Sequence, residues 1–456
     1  MSNARTPSHR AGNRPVWLSP RRLLCNASLL LAAWIMLSVD TAAQPDSPSD
    51  RVPAARQSTA SPATARLLLA DGTRHQGPVT RWSTTEITLG QTTVPVREVV
   101  HLRFANTAPT RARKTAELML ANGDHVAARV LEINEESLTA EWELSGLRQK
   151  MQLPLETVTG FTALLPRGDF RRLKFLRQMS EPSDHAADYL FLRNDDTVAG
   201  ELTGFDGRRY LLRNPTTATE TSIDSAGVRA VRLNPDLVSF PDSNGPLWLI
   251  TLADGSCVTA QSIAWNGPHA DRPQSPTAGI LRLHLACGAT IRVSQSALVS
   301  ATVLGGRAVY LSDLKPVAYR FRPFLSQNWP LREDRNVIGG PLRLRGRTYA
   351  KGLGTHSRSE ITYELDRKYE RFQTVLGIDD CSNGAGQVVF SVLLDGQRVF
   401  QSPMLSGTDA AHPLPAVDVS RGNRLTLIVD YGAGGDVLDR ADWCDALLIR
   451  KADSPR

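Results

Sequence analysis

Two acidic motifs stand out in the last third of the chain, Gly377-Ile378-Asp379-Asp380 and Ala441-Asp442-Trp443-Cys444-Asp445, together with His356 at the end of Lys351-Gly352-Leu353-Gly354-Thr355-His356. Carboxylates of this kind accept hydrogen bonds from sugar hydroxyls. As hard oxygen ligands, Asp379, Asp380 and Asp445 are also candidates to hold a structural Ca²⁺ ion. The same side chains equally suit a turn-fixing role, bonding nearby backbone amides. Trp443 offers a flat apolar face to the C–H surface of a pyranose, and mid-strand it serves a core just as well. His356 either faces a ligand or satisfies a buried loop. The candidate ligand-binding set is therefore His356, Asp379, Asp380, Asp442 and Trp443.

Catalysis is not expected. Asp379 and Asp380 are adjacent, so on a strand they point to opposite faces and cannot flank one glycosidic bond. No G-x-S-x-G elbow, P-loop or H-E-x-x-H helix occurs. A zinc site is also not expected, because no C-x-x-C pair exists and the nine histidines are scattered. Apart from the Ca²⁺ candidate, no cofactor is implied.

The elements that must carry these residues are short strands. Apolar residues alternate at period two from Tyr310 to Lys451, in runs broken by Gly, Asp and Asn, which predicts a β-sandwich. Val388–Leu394 followed by Asp395-Gly396 is a strand and hairpin turn. The glycines at 352 and 354 permit a tight bend and close backbone approach before a strand from Ile361 to Leu365. Leu425–Val429 and Ala446–Ile449 are expected to pair as central strands.

Upstream, four segments share one plan. They begin RLLLADGTRHQG, ELMLANGDHVAA, YLFLRNDDTVAG and LITLADGSCVTA, with turns at Asp71-Gly72, Asn122-Gly123, Asn194-Asp195 and Asp254-Gly255. In each, a small residue (Gly77, Ala128, Gly200, Ala260) follows six positions after the first turn residue, and a Val-rich run closes the segment. Such dipeptides between alternating strands predict hairpins of type I′, with positive φ at both turn residues. The turns lie 51, 72 and 60 residues apart, too irregular for a tight solenoid. The plan resembles small SH3-like or Sm-like barrels, a resemblance of architecture only, and reads as scaffold or protein-contact modules. Pro166 to Asp188 could form one short helix with a solvated charged face.

The chain has 456 residues, 41% of them hydrophobic, and a formal charge of +7. That length demands several domains. Arg5, Arg10, Arg14, Arg21 and Arg22 precede Ala43, with Asp40 the one acid there, so outside that segment the excess drops to +3. No basic cluster with interleaved aromatics appears, and a nucleic-acid partner is not expected. The same segment has a basic start, an apolar run from Leu23 to Val39 and small residues at Thr41-Ala42-Ala43, the pattern of a cleaved export signal, with an uncleaved single anchor as the alternative. The expected mature chain is secreted, periplasmic or in the cell envelope, without a membrane span. Cys257, Cys287, Cys381 and Cys444 remain after the leader, and an even number in an oxidising compartment suggests two disulfides, Cys257–Cys287 and Cys381–Cys444; buried free thiols are the alternative. A bond between Cys381 and Cys444 would bring their Cα atoms within about 7 Å and set the two acidic motifs side by side.

Several motifs occur in order through this last stretch: YLSDLKP at Tyr310, the approach through Trp329 and Arg335, PLRLRGRTYAKGLGTH ending at His356, SEITYEL at Ser359, GIDD at Gly377, VVFSVLLDG at Val388, LSGTDA at Leu405 and ADWCDA at Ala441. Together they resemble the NPCBM family, a jelly-roll module first described as carbohydrate-binding and attached to glycosidases and many exported bacterial proteins. The resemblance implies a glycan or polysaccharide partner contacted by loops at one edge of the sandwich. It departs from the family at Arg440, where a histidine often precedes the ADW motif. The expected fold class is all-β: a signal peptide (1–43), a disordered linker (44–64), β units at 65–105, 115–165, 186–235 and 246–305, and a jelly roll at 308–452. The alternative function is an envelope scaffold that binds a protein partner while the jelly roll only packs. A third is an accessory module of glycoside hydrolysis.

Overall fold

A computed structural model describes residues 64–105, 116–166, 186–243, 245–265, 279–324 and 327–452, and five positions between 171 and 179. The leader-like segment and nearly all of the expected linker lie outside the described residues. The chain is all-β. Within the expected helical segment, Arg171, Lys174, Phe175, Gln178 and Met179 are helical, and Phe175 and Met179 pack on Phe191 and Ala230. Among the described residues no helix is long and apolar enough to cross a membrane.

Each upstream segment repeats one set of backbone bonds. In the first, Gly72 N–H donates to Leu69 O and Leu69 N–H to Thr73 O, with Gly72 at φ 90°. The Asp71 carboxylate accepts from Thr73 N–H at 2.8 Å. The same bonds recur around Asn122, Asn194 and Asp254. Only the second residue of each predicted pair, Gly72, Gly123, Asp195 or Gly255, has positive φ. The turns are therefore three-residue loops closed by a left-handed residue, not type I′. The first residue instead caps the turn through its side chain, which is why Asp or Asn stands there.

After the turn, the second strand carries a register shift soon after the small residue: between Val79 and Arg81, Val130 and Glu132, Leu202 and Gly204, and Ala260 and Ser262. Such bulges bend a strand, so its first half pairs backward and its second half forward. A Cβ on Gly200 would lie 2.9 Å from the Leu212 side chain and 3.0 Å from Arg213 O, which explains a small residue at the bend. A 3₁₀ turn then precedes the last strand of every segment: Val96–Glu98, Leu155–Thr157, Ser225–Gly227 and Gln295–Ala297. The ladders do not close any segment into a barrel among the described residues. The free edges are used between segments. Val99–Phe104 of the first pairs with Leu298–Leu304 of the fourth, and Val158–Thr162 of the second with Val228–Arg232 of the third. One apolar core runs through all four.

The C-terminal region is a two-sheet sandwich. One sheet is ordered Arg332–Glu333, Gly352–His356, Arg440–Arg450, Tyr369–Ile378 and His412–Pro413; the other is Ala318–Phe321, Ser359–Glu364, Arg424–Tyr431, Gln387–Leu394 and Gln397–Gln401. The expected pairing of Leu425–Val429 with Ala446–Ile449 does not occur. Each is central in its own sheet, and they meet through side chains across the core, Leu425 and Leu427 on one side and Ala446 and Leu448 on the other. The glycine run is itself a strand. A Cβ on Gly354 would stand 2.2 Å from Arg335 O and one on Gly352 2.5 Å from Trp443 O, so these glycines serve close approach.

The sandwich is seated on the first segment. Ala70 and Val100 share a small apolar cluster with Tyr310, Leu447 and Ile449. Arg307 clamps the seam, donating to Glu98 at 2.8 Å, Glu370 at 3.0 Å and Arg450 O at 3.0 Å.

Candidate functional site

The two acidic motifs lie side by side, but a β-ladder joins them. Gly377 pairs with Asp442 and Ile378 with Ala441, and Asp379 N–H donates to Arg440 O. Neither expected disulfide forms: Cys257, Cys287, Cys381 and Cys444 are all free thiols. Burial pushes each thiol pKa up, keeping it protonated and unreactive. Backbone pairing makes the covalent link unnecessary for the juxtaposition it was expected to cause.

Asp379 is 2% exposed and already spent. One oxygen accepts from Asn336 Nδ2 and Cys381 N–H, the other from Arg343 N–H. Asp380 accepts from the amides of Arg345 and Gly346, pinning the hairpin Leu342–Tyr349. These are turn-fixing roles. Asp442 is fully buried, and neither carboxyl oxygen has an N–H or O–H donor. Burial and the Asp379 carboxylate beside it hold its pKa well above the ordinary range, so it is a neutral acid. Asp445 faces Arg103, with Nη2 3.7 Å from its Oδ2, and Arg347 also acts on it. Among the described residues no three His, Cys, Asp or Glu side chains converge as a metal site would. The Ca²⁺ candidates are thus engaged by amide donors at Asp379 and Asp380 and faced by guanidinium groups at Asp445.

Trp443 cannot stack on a sugar. It is fully buried, edge-on to Phe390 with centroids 5.0 Å apart, at the centre of the sandwich core. His356 is placed differently. Its ring is 3% exposed, bonded through Nδ1 to Ser357 O at 2.8 Å, and covered by Trp329, which stacks on it at 4.8 Å and 4°. Burial lowers its pKa, so it is neutral. Arg440, in the ladder opposite His356, donates to Cys381 O and holds the 3₁₀ turn after the GIDD motif.

Near His356 the strand ends bring together exposed and half-buried apolar side chains. Phe324 is 59% exposed and edge-on to Tyr431 at 6.1 Å; exposed Met404 borders Gly432. Tyr319 O–H donates to Trp329 O at 2.8 Å and fixes the loop that carries both Phe324 and Trp329. Arg358 and Asp430, 3.8 Å apart, supply a donor and an acceptor at the rim of this surface. Of the predicted ligand-binding residues only His356 belongs here, as a support beneath Trp329. Phe324 and Tyr431 had no signal beyond being aromatics next to turns.

Comparison with known proteins finds relatives of the C-terminal region. It is similar to a "Putative endo-alpha-N-acetylgalactosaminidase" of Renibacterium salmoninarum, 37% identical over 114 residues, which are 25% of this chain and 8% of that protein. An "Alpha-1,3-galactosidase B" of Akkermansia muciniphila is 29% identical over 116 residues, 25% of this chain and 15% of the other. The chain therefore spans under a sixth of either relative. A solved CBM51 from Clostridium perfringens GH95, in complex with methyl-galactose, is 29% identical and covers 31% of this chain and 99% of its own, with a TM-score of 0.29. A structure of CBM51-2 in complex with GlcNAc and INT domains of Clostridium perfringens ZmpB is 28% identical, covers 38% and 37% of the two chains, and has a TM-score of 0.30. The NPCBM/NEW2 domain model matches residues 307–449, the span of the sandwich, and the four upstream β segments lie outside the match.

Proposed function

We propose that the protein is an exported, non-catalytic carbohydrate-binding protein whose sandwich grips a terminal sugar at the Phe324–Tyr431 surface. One observation carries this reading: an exposed Phe324 ring and the exposed Met404 thioether flank the half-buried Tyr431 ring at a loop end, beside a paired donor and acceptor. Apolar C–H faces of a pyranose pack on such rings, and Arg358 and Asp430 select hydroxyl positions. The relatives named as a galactosidase and a galactosaminidase make galacto-configured sugars the first probes. Buried or donor-saturated carboxylates support the non-catalytic part, because Asp379, Asp380 and Asp442 do not face each other across a cleft.

Titrating the full chain with methyl-galactoside and N-acetylgalactosamine tests the proposal. Phe324→Ala and Tyr431→Ala should each weaken binding by about tenfold, the loss of one stacking contact. A wild-type chain that binds neither sugar, or variants that bind as wild type does, would overturn it. The scaffold reading is favoured by the fixed seam at Arg307, and predicts instead that a protein partner is captured equally by wild type and by Phe324→Ala.

A further inference from the structure

The seam between the first β segment and the sandwich gathers positive charge that no residue neutralises in full. His101 and Arg103 lie on Val99–Phe104 and Arg74 on Arg74–Trp82, while Arg347 and Tyr349 lie on Arg347–Tyr349 and Asp445 on Arg440–Arg450. The Tyr349 ring has Arg347 at 4.5 Å from its centroid and Arg103 at 5.8 Å. Arg103, Arg347 and Arg74 all act on His101, and burial with those three charges drives its pKa down to about 3. Asp445 is the carboxylate facing Arg103, and at 3.7 Å the contact is too long for a hydrogen bond. The next carboxylates along the seam, Asp313 and Asp334, are both held by Lys351.

Two further groups are left without partners. The Tyr349 hydroxyl is buried and unbonded, on a residue only 3% exposed, and Arg103 Nε is likewise buried and unbonded. Buried donors of this kind are costly unless something accepts from them. Arg347 and Arg74 are exposed and the Arg103 side chain is 31% exposed, so an anion can reach these guanidinium groups from solvent.

We propose that Arg74, Arg103 and Arg347 bind the carboxylate or sulfate group of an acidic polysaccharide at this seam. Guanidinium groups match such oxyanions through paired N–H donors. The site needs residues of both the first β segment and the sandwich, which gives the upstream segments a share in recognition. It is separate from the aromatic surface, so a chain could hold a neutral terminal sugar and an acidic group of the same polymer.

The test uses the full chain in affinity electrophoresis and titration with polygalacturonate, a sulfated galactan and neutral galactan. Wild type should bind at least one acidic polymer more tightly than the neutral one, with affinity falling as salt rises. The polymer retained identifies carboxylate or sulfate as the preferred group. Arg74→Gln combined with Arg347→Gln removes exposed charges only, and should weaken acidic-polymer binding by about tenfold. Phe324→Ala should leave the acidic preference unchanged, which separates failure here from failure at the aromatic surface. Equal retention on acidic and neutral polymers, or a double variant that binds as wild type does, overturns the proposal.

Discussion

At the scale of single residues, Asp442 is the most consequential side chain. As a neutral acid it can donate to Asp379; ionised, it faces that carboxylate with only the Arg343 amide nearby, which is already bonded to Asp379. The native pKa lies above the unfolded one, so between about pH 4 and the native value the folded chain holds a proton that the unfolded chain lacks. Stability contributed by this group is therefore present in acid and lost as pH rises. Asp442→Asn keeps the shape and a donor without the charge. It should gain about 1–3 kcal/mol at neutral pH in urea unfolding, with the gain vanishing below about pH 4. His101 works the other way. Its depressed pKa means stability is complete above the unfolded value of 6.5 and declines as pH falls from there toward about 3. His101→Gln should flatten that acid limb of the stability profile.

At the scale of elements, the edge-to-edge pairing of upstream segments depends on backbone proximity. Gly160 lies where the second and third segments meet, and a Cβ there would sit 2.5 Å from Val231 O. Its φ is not left-handed, so the constraint is steric. Gly160→Ala should destabilise by about 1–3 kcal/mol through overpacking, read as a lower urea midpoint. The corresponding crossing of Ser300–Thr302 with His101–Arg103 should be untouched, since the two junctions share no residues.

At the scale of the whole molecule, described residues from the first segment onward form one compact unit. Arg307 is only 18% exposed in its side chain and bridges Glu98 of the first segment to Glu370 of the sandwich. Arg307→Met should leave the partly buried Glu370 without its cation and Glu98 with only the exposed Arg97, 3.5 Å away. We expect a loss of about 2–3 kcal/mol and a broadened or split unfolding transition, where wild type shows one. A single unchanged transition in the variant would show that the apolar contact of Tyr310 with Ala70 and Val100 suffices to join the two parts.

The sequence by itself determined the all-β class, the fourfold turn plan and the sandwich, because strand alternation, Asx-led turns and small residues at bends are local demands. It also brought the GIDD and ADW motifs together, although by reasoning from cysteines that turn out to be free. Tertiary structure decided the rest. Alternation says which side chains are buried but not which strand lies alongside, so Leu425–Val429 and Ala446–Ile449 fell in opposite sheets. Motif residues that looked like ligand contacts became core or turn fixtures, since an Asp or Trp has the same letter whether it faces solvent or protein. The aromatic surface and the arginine seam are built from residues distant in the chain, and only folding places them within reach of one ligand.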